Sequence, residues 1–208
     1  MSNVKSKSGL IRKTNESAIV RAAEIEFADN GFKGASMGRI ATKAGIPRPN
    51  VHYYFKNKDE LYTHVLLSIV NRWILLFEDI RPEDDPASAL RKYIHAKVMY
   101  SKDNPEASRV FANELLHGAP VLKPYLKGEH KKWFAQKEKV IQSWIDQGKM
   151  DPIDPKTLMF TIWASTQQYA DYRIQIESIY GKVLSNSLCG DIADNLSEIL
   201  LKGCGLKV

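Results

Sequence analysis

Apolar residues recur every three to four positions along almost all of the chain after residue 14. No segment alternates apolar and polar residues in the two-residue period of a half-buried strand. This pattern predicts an all-α protein. Ile19, Ala22, Ala23 and Phe27 share one face of a first helix over about Asn15–Asn30, and Gly31 supplies a natural left-handed stop. Ser36 stands where an N-cap belongs, ahead of a short helix with Met37, Ile40, Ala41 and Ala44 on one face and Gly45 at its end. Pro47 and Pro49 are tolerated only in the following turn and in the first turn of another helix. Two short helices therefore meet at a tight break. In the second, Val51 and Phe55 at i and i+4 form an anchor, which leaves Arg48, Asn50, His52 and Tyr53 facing outward.

A long helix is expected from about Asn57 to Asp79. Asp59 and Glu60 suit its positive end, and Leu61, Val65, Ile69, Trp73 and Phe77 follow at four-residue spacing. The segment RPEDDPA over 81–87 reads as a loop and as the seam between domains. Further helices are predicted near 87–102, 105–117, 121–127, 129–147, 155–179 and 190–203, the last two being the most apolar. The expected organisation is a basic flexible tail over 1–13, a three-helix helix-turn-helix domain over 14–60, and a larger helical domain over 61–208.

Charge sharpens this division. Residues 1–65 carry 11 Lys and Arg against 6 Asp and Glu, whereas residues 66–208 carry 19 against 18. Nearly all of the net charge of +6 therefore accompanies the paired short helices, as binding to a phosphate backbone requires. Only Cys189 and Cys204 are present, without a CxxC pair, so a reducing cytoplasm is the expected compartment. No apolar leader and no membrane-length apolar run is visible.

The outward residues of the second short helix suit a DNA groove. Arg48 can give two hydrogen bonds to guanine, Asn50 can exchange two with adenine, and Pro49 offers an apolar ring to a thymine methyl. His52, Tyr53 and Lys58 suit phosphate oxygens. On these residues alone, an ordinary helical hairpin with a polar exterior is an equal alternative.

The wider run is more specific. Ile19, Ala22-Ala23, Phe27, Gly31-Phe32, Ser36, Ile40-Ala41, Ala44-Gly45-Ile46, Tyr53-Tyr54-Phe55, Lys58 and Leu61 resemble the N-terminal domain of TetR-family transcriptional regulators in both residues and spacing. The resemblance implies an all-helical homodimer that grips a near-palindromic double-stranded operator, with an effector-binding and dimerisation domain behind. It implies DNA contacts from Ser36, Arg48, Pro49, Asn50, His52, Tyr53, Tyr54 and Lys58. Many members carry Ser or Thr just before the recognition helix; this chain has Pro47-Arg48-Pro49, so the operator sequence does not carry over.

The second half resembles a subgroup. The stretch Tyr100 to Arg109, Glu114-Leu115-Leu116, Gly118-Ala119-Pro120, Pro152-Ile153-Asp154-Pro155, Ile162 to Gln167 and Tyr169-Ala170-Asp171 look like the Rut-type regulators of pyrimidine utilisation. That resemblance implies an effector such as uracil or thymine. Trp163, Gln167 and Asp171 follow at i, i+4 spacing on one apolar helix. A planar base stacked on the indole would satisfy the Gln167 amide, although backbone or a dimer mate would serve as well. Trp73 and Phe77 are expected as a second aromatic wall, with Asn113 and Leu116 closing the pocket. The two C-terminal helices are the expected dimer surface. The long helix would carry the signal, since Lys58 and Trp73 lie about 22 Å apart along it.

Other classes fit less well. The histidines at 52, 64, 95, 117 and 130 form no HExxH, and GxSxG and phosphate-cradling glycine loops are absent. No catalytic residues, metal site or cofactor are therefore expected. An architectural DNA protein has no use for the large aromatic second half. A repressor answering a drug, purine or fatty acyl compound, in efflux or stress control, is the nearer alternative, and a buried Gln167 counts against a purely lipid cavity.

Overall fold

The computed structural model describes residues 2–207, with side chains from residue 10 onward, and among these only helices and turns occur. Packing divides the chain into two compact units. One comprises Met1–Val70 with Arg109–Leu122, and the other Asn71–Ser108 with Lys123–Val208.

The first unit contains α1 (Ser2–Gly34), α2 (Met37–Ala44), α3 (Arg48–Tyr54) and most of α4 (Lys58–Leu75). The expected apolar stripe of α1 is its core: Ile19, Ala22, Ala23 and Phe27 are all buried, together with Ile40, Ala41, Val51, Phe55 and Leu61. Gly31 (φ 64°, ψ 175°) interrupts α1 at the predicted stop, and a short helical stretch follows to Gly34. Ser36 caps α2, its hydroxyl accepting the Arg39 N–H at 3.2 Å. Gly45 (φ 66°) ends α2 in a left-handed turn. A residue with a Cβ would be strained there.

The second unit contains α5 (Pro86–Asp103), α7 (Lys123–Tyr125), a π-helical turn (Leu126–His130), α8 (Lys131–Asp146), α9 (Pro155–Asp171), α10 (Arg173–Tyr180) and α11 (Asn186–Gly203). The helix α6 (Pro105–Leu116) begins in this unit and passes to the first after Ser108. Asp85 and Asp154 cap α5 and α9, each followed by proline at the first helical position. The core of the unit joins Leu90, Tyr93, Ile94 and Val98 of α5 to Met159 and Ile162 of α9 and to Cys189, Ile192 and Leu201 of α11.

Several expectations are corrected. Helix α1 starts at Ser2, so the backbone of the expected tail is helical; residue 1 and the side chains of residues 2–9 lie outside the described residues. Extending an existing helix needs no new nucleus, and no proline stands in the way. The long helix ends at Leu75, and Phe77 occupies the following turn, still fully buried. The helix expected over 155–179 breaks at Tyr172 (φ −114°, ψ 31°), a single residue that leaves the apolar phase nearly intact. The loop expected over 81–87 ends at Asp85, the N-cap of α5, and both its flanks belong to the same unit. Polar composition reports exposure and says nothing about where one core stops and another begins.

Candidate nucleic-acid interface and effector site

Helix α3 is fastened from one side. Val51 is fully buried and Phe55 nearly so, while Arg48, Pro49, Asn50, His52 and Tyr53 are exposed, Tyr53 at 74%. Tyr54 turns inward instead. It is half-buried, accepts the Asn15 amide at 3.3 Å and meets Tyr53 edge-on at 5.4 Å. The His52 Nδ1 lies 3.2 Å from the Lys56 carbonyl, an arrangement that ties the end of α3 to the turn before α4.

The platform beneath the reader rests on a residue that the apolar pattern did not reveal. Glu26, only 1% exposed, projects from α1 to α2, where Oε1 accepts the Arg39 Nε at 2.5 Å and the Ser36 backbone N–H at 3.4 Å. The Lys43 ammonium lies 3.8 Å from its other oxygen. A buried carboxylate needs such partners, and these contacts tie α1 to α2. Its signal in the sequence was a glutamate one residue before Phe27, at the edge of the apolar stripe.

Lys58, expected at a phosphate, has its ammonium engaged within the unit. Its ammonium donates to the carbonyls of Phe32 at 2.7 Å, Ala35 at 3.1 Å and Lys33 at 3.4 Å, and lies 4.6 Å above the Phe32 ring. All three donors close the end of α1, which would otherwise expose unpaired carbonyls. The side chain is thus engaged inside the unit.

Within the second unit, aromatic rings gather around Trp163. Its Nε1 donates to the Tyr93 hydroxyl at 2.8 Å. Its ring stacks on Trp133 (6.4 Å, 19°) and meets Phe134 edge-on at 5.6 Å. Phe77 meets the same Tyr93 at 4.6 Å and the same Trp133 at 6.4 Å, so the structure does bring Phe77 and Trp163 into one cluster. Burial raises the Tyr93 hydroxyl pKa above its usual range, against the opposing pull of its hydrogen bond from Trp163. His130 stacks on Trp133 at 5.5 Å, and burial lowers its affinity for a proton. Neither His130 Nδ1 nor Trp133 Nε1 has a hydrogen-bond partner among the described residues.

A second group lies further along α5 and α9. Asp171 accepts the Ser108 hydroxyl at 2.6 Å. Burial raises its pKa, against the opposing pull of Ser108 and of the Lys97 charge. Lys97 lies one helical turn beyond Tyr93, with its ammonium 4.6 Å over the ring of Trp73, and burial lowers its pKa to about 7. Tyr93 thus meets Trp163, and Lys97 senses Asp171. Gln167 is midway between Trp163 and Asp171 on the same face of α9. It is half-buried, and its amide makes no hydrogen bond among the described residues.

Asn113 and Leu116 were expected to close the pocket. Both belong to the first unit, and Leu116 is 82% exposed. Asn113 instead helps line a separate cavity of about 650 Å³ with Phe32, Tyr62 and Glu114. There the buried Glu114 accepts the Val121 and Leu122 N–H groups at 2.6 and 3.0 Å and the Tyr62 hydroxyl at 3.1 Å. Their helical spacing was compatible with the expected pocket, but spacing along one helix does not say which neighbour it faces. Sequence reasoning missed Lys97, Tyr93, Ser108 and Trp133. Of these, Lys97 left a signal: a lysine on the apolar face of α5 in phase with Leu90, Tyr93 and Ile94.

A short, anchored helix with an open polar face, set on a three-helix platform and joined to an aromatic-rich helical unit, defines a helix-turn-helix regulator with a sensing domain. Comparison with known proteins agrees. Residues 19–65 match the family described as "Bacterial regulatory proteins, tetR family", and residues 66–207 match "YcdC-like protein, C-terminal region". The chain belongs to the TetR family of transcriptional regulators. It is 38% identical over 187 residues to the HTH-type transcriptional regulator RutR of Escherichia coli strain K12, covering 89% of this chain and 88% of that protein. Among solved structures, the regulator SCO4942 from Streptomyces coelicolor superposes with a TM-score of 0.70 at 23% identity, over 90% of this chain and 97% of that one. A TetR-like regulator from Rhodococcus sp. RHA1 gives 0.65 at 20% identity, over 91% and 94%. These two likenesses speak for the fold. Among the described residues, no helix is long and apolar enough to cross a membrane.

Proposed function

We propose that this TetR-type regulator is a homodimeric repressor that holds a near-palindromic operator through Arg48, Pro49, Asn50, His52 and Tyr53 and releases it on binding a pyrimidine base such as uracil or thymine. The identity to RutR over most of both chains supports the effector class. The observation that carries the reading is the face of α9. Trp163 offers a ring, Asp171 an acceptor, and Gln167 between them has an amide without a partner. A half-buried amide of this kind is matched by a carbonyl and a ring N–H, and a fatty acyl chain supplies neither.

Dimerisation through α9–α11 is supported by apolar side chains that remain open there: Ile174 is 84% exposed, Ile179 75%, Val183 68% and Ile199 67%. Helix α4 is unbroken from Lys58 to Leu75 and carries Trp73 near its C-terminal end, so a ligand that selects one pose of this helix would shift the reading heads. Thermal melts against a panel of nucleobases and their catabolites test the effector. Uracil or thymine should raise the melting temperature and lower affinity for an operator recovered by genomic selection. If every pyrimidine leaves both quantities unchanged, the effector assignment is wrong.

A further inference from the structure

The exposed side chains of α3 and the turn after it differ in the sign of the hydrogen bonds they can make. Arg48 and Lys56 can only donate, whereas Asn50 and Tyr53 can donate and accept. For His52 the sign depends on which ring nitrogen carries the hydrogen, and the structure decides it. Nδ1 lies 3.2 Å from the Lys56 carbonyl oxygen. A carbonyl oxygen brings no hydrogen to such a bond, so Nδ1 supplies it.

That carbonyl is itself held in place. The Lys56 N–H donates to the Glu60 carboxylate at 3.0 Å, and the Glu60 N–H donates to the Asn57 side-chain oxygen at 2.8 Å. This reciprocal pair of bonds at the start of α4 fixes the turn, and the turn fixes the tautomer of the imidazole. The neutral ring then keeps a lone pair on Nε2. No hydrogen bond to Nε2 occurs among the described residues, and the side chain is exposed one helical turn after Arg48, on the same face.

A lone pair is the wrong group for a phosphate, whose oxygens bring lone pairs of their own. Guanine O6 and N7 and thymine O4 fail for the same reason. In the major groove, hydrogens are offered by cytosine N4 and adenine N6 alone. We propose that His52 reads sequence and does not grip the backbone: its Nε2 accepts a hydrogen from the exocyclic amino group of an operator cytosine or adenine. This inference rests on the operator reading above and adds the sign of one base contact, opposite to that of Arg48.

Fluorescence anisotropy of the full-length protein with an operator duplex recovered by genomic selection tests it, using the parent and His52→Asn. Asparagine keeps a donor near the Nδ1 position for the Lys56 carbonyl and has no atom at Nε2. Each operator cytosine is replaced in turn by 2-pyrimidinone, and each adenine by purine, analogues that lack the amino group. For the parent, one replacement in each half-site should weaken binding about five- to a hundredfold through loss of the His52 contact. The analogue that acts there tells cytosine from adenine. At that position His52→Asn should lose less than about twofold, because the contact is already gone, while losses at the other positions match those of the parent. That match sets a base contact apart from a folding defect. The slope of log affinity against log salt should be the same for both proteins, whereas a lost phosphate contact would flatten it by about 1.8 for a dimer. A slope flattened in that way, or losses equal in the two proteins at every cytosine and adenine, would overturn the role of His52 while leaving operator binding intact. A parent protein that selects no duplex would remove the operator reading and this inference with it.

Discussion

Replacing Lys58 by methionine separates two roles that a lysine at the start of α4 can play. If its ammonium held a phosphate, each subunit would lose one contact, and the slope of log affinity against log salt would flatten by about 0.9 per subunit, or about 1.8 for a dimer. The structure predicts otherwise. The ammonium is engaged by three carbonyls at 2.7–3.4 Å and by the Phe32 ring, so the loss should appear in stability. Hydrogen bonds from a charged donor contribute more than neutral ones, but Lys58 is only half-buried and water replaces part of what is removed. The net cost should be about 1–2 kcal/mol. Fluorescence anisotropy with operator DNA across a salt series gives the slope, and urea unfolding gives the stability. A slope reduced by nearly two with an unchanged urea midpoint would refute the capping role.

Three further outcomes follow from the same geometry. Arg48→Ala and Asn50→Ala should each relax discrimination at a single operator position by about 1–3 kcal/mol with little change in salt slope, as read by competition against single-base operator variants. Burial lowers the Lys97 pKa to about 7, below its value of about 10.4 in an unfolded chain. The unfolded state therefore binds the extra proton between these values, so this group makes stability rise as pH increases from about 7 toward 10, by up to about 5 kcal/mol. That rise should be missing from urea titrations of Lys97→Met, and an identical pH profile for the two proteins would contradict the assignment. Ile199→Glu, at a side chain 67% exposed on α11, should yield monomers by sedimentation without loss of helix, whereas a dimer of unchanged affinity would place the interface elsewhere.

Much of the DNA-reading half was legible before any coordinates. Gly31, Ser36, Gly45 and the two prolines act through local backbone geometry, and each behaves as its residue type dictates. The apolar stripe of α1 is buried as its period requires. What escaped was every polar residue whose role depends on a partner distant in sequence. Glu26 meets Arg39 thirteen residues away and Glu114 meets Tyr62 fifty-two away, and neither pairing leaves a periodic trace. Lys58 shows the same limit from the other side, since its position suited phosphate and its carbonyl partners were invisible.

In the sensing half, the spacing of Trp163, Gln167 and Asp171 placed them on one face of α9, but only packing joined that face to α5 and so brought Tyr93 to Trp163 and Lys97 within range of Asp171. It also removed Asn113 and Leu116 to the other unit. Sequence alone determined the helices, their breaks, the exposed face of α3 and the uneven charge, because these depend on side chains within a turn or two of one another. Tertiary structure alone decided which buried charges are paired, because that depends on which helix faces meet, and such contacts join residues that the chain itself keeps far apart.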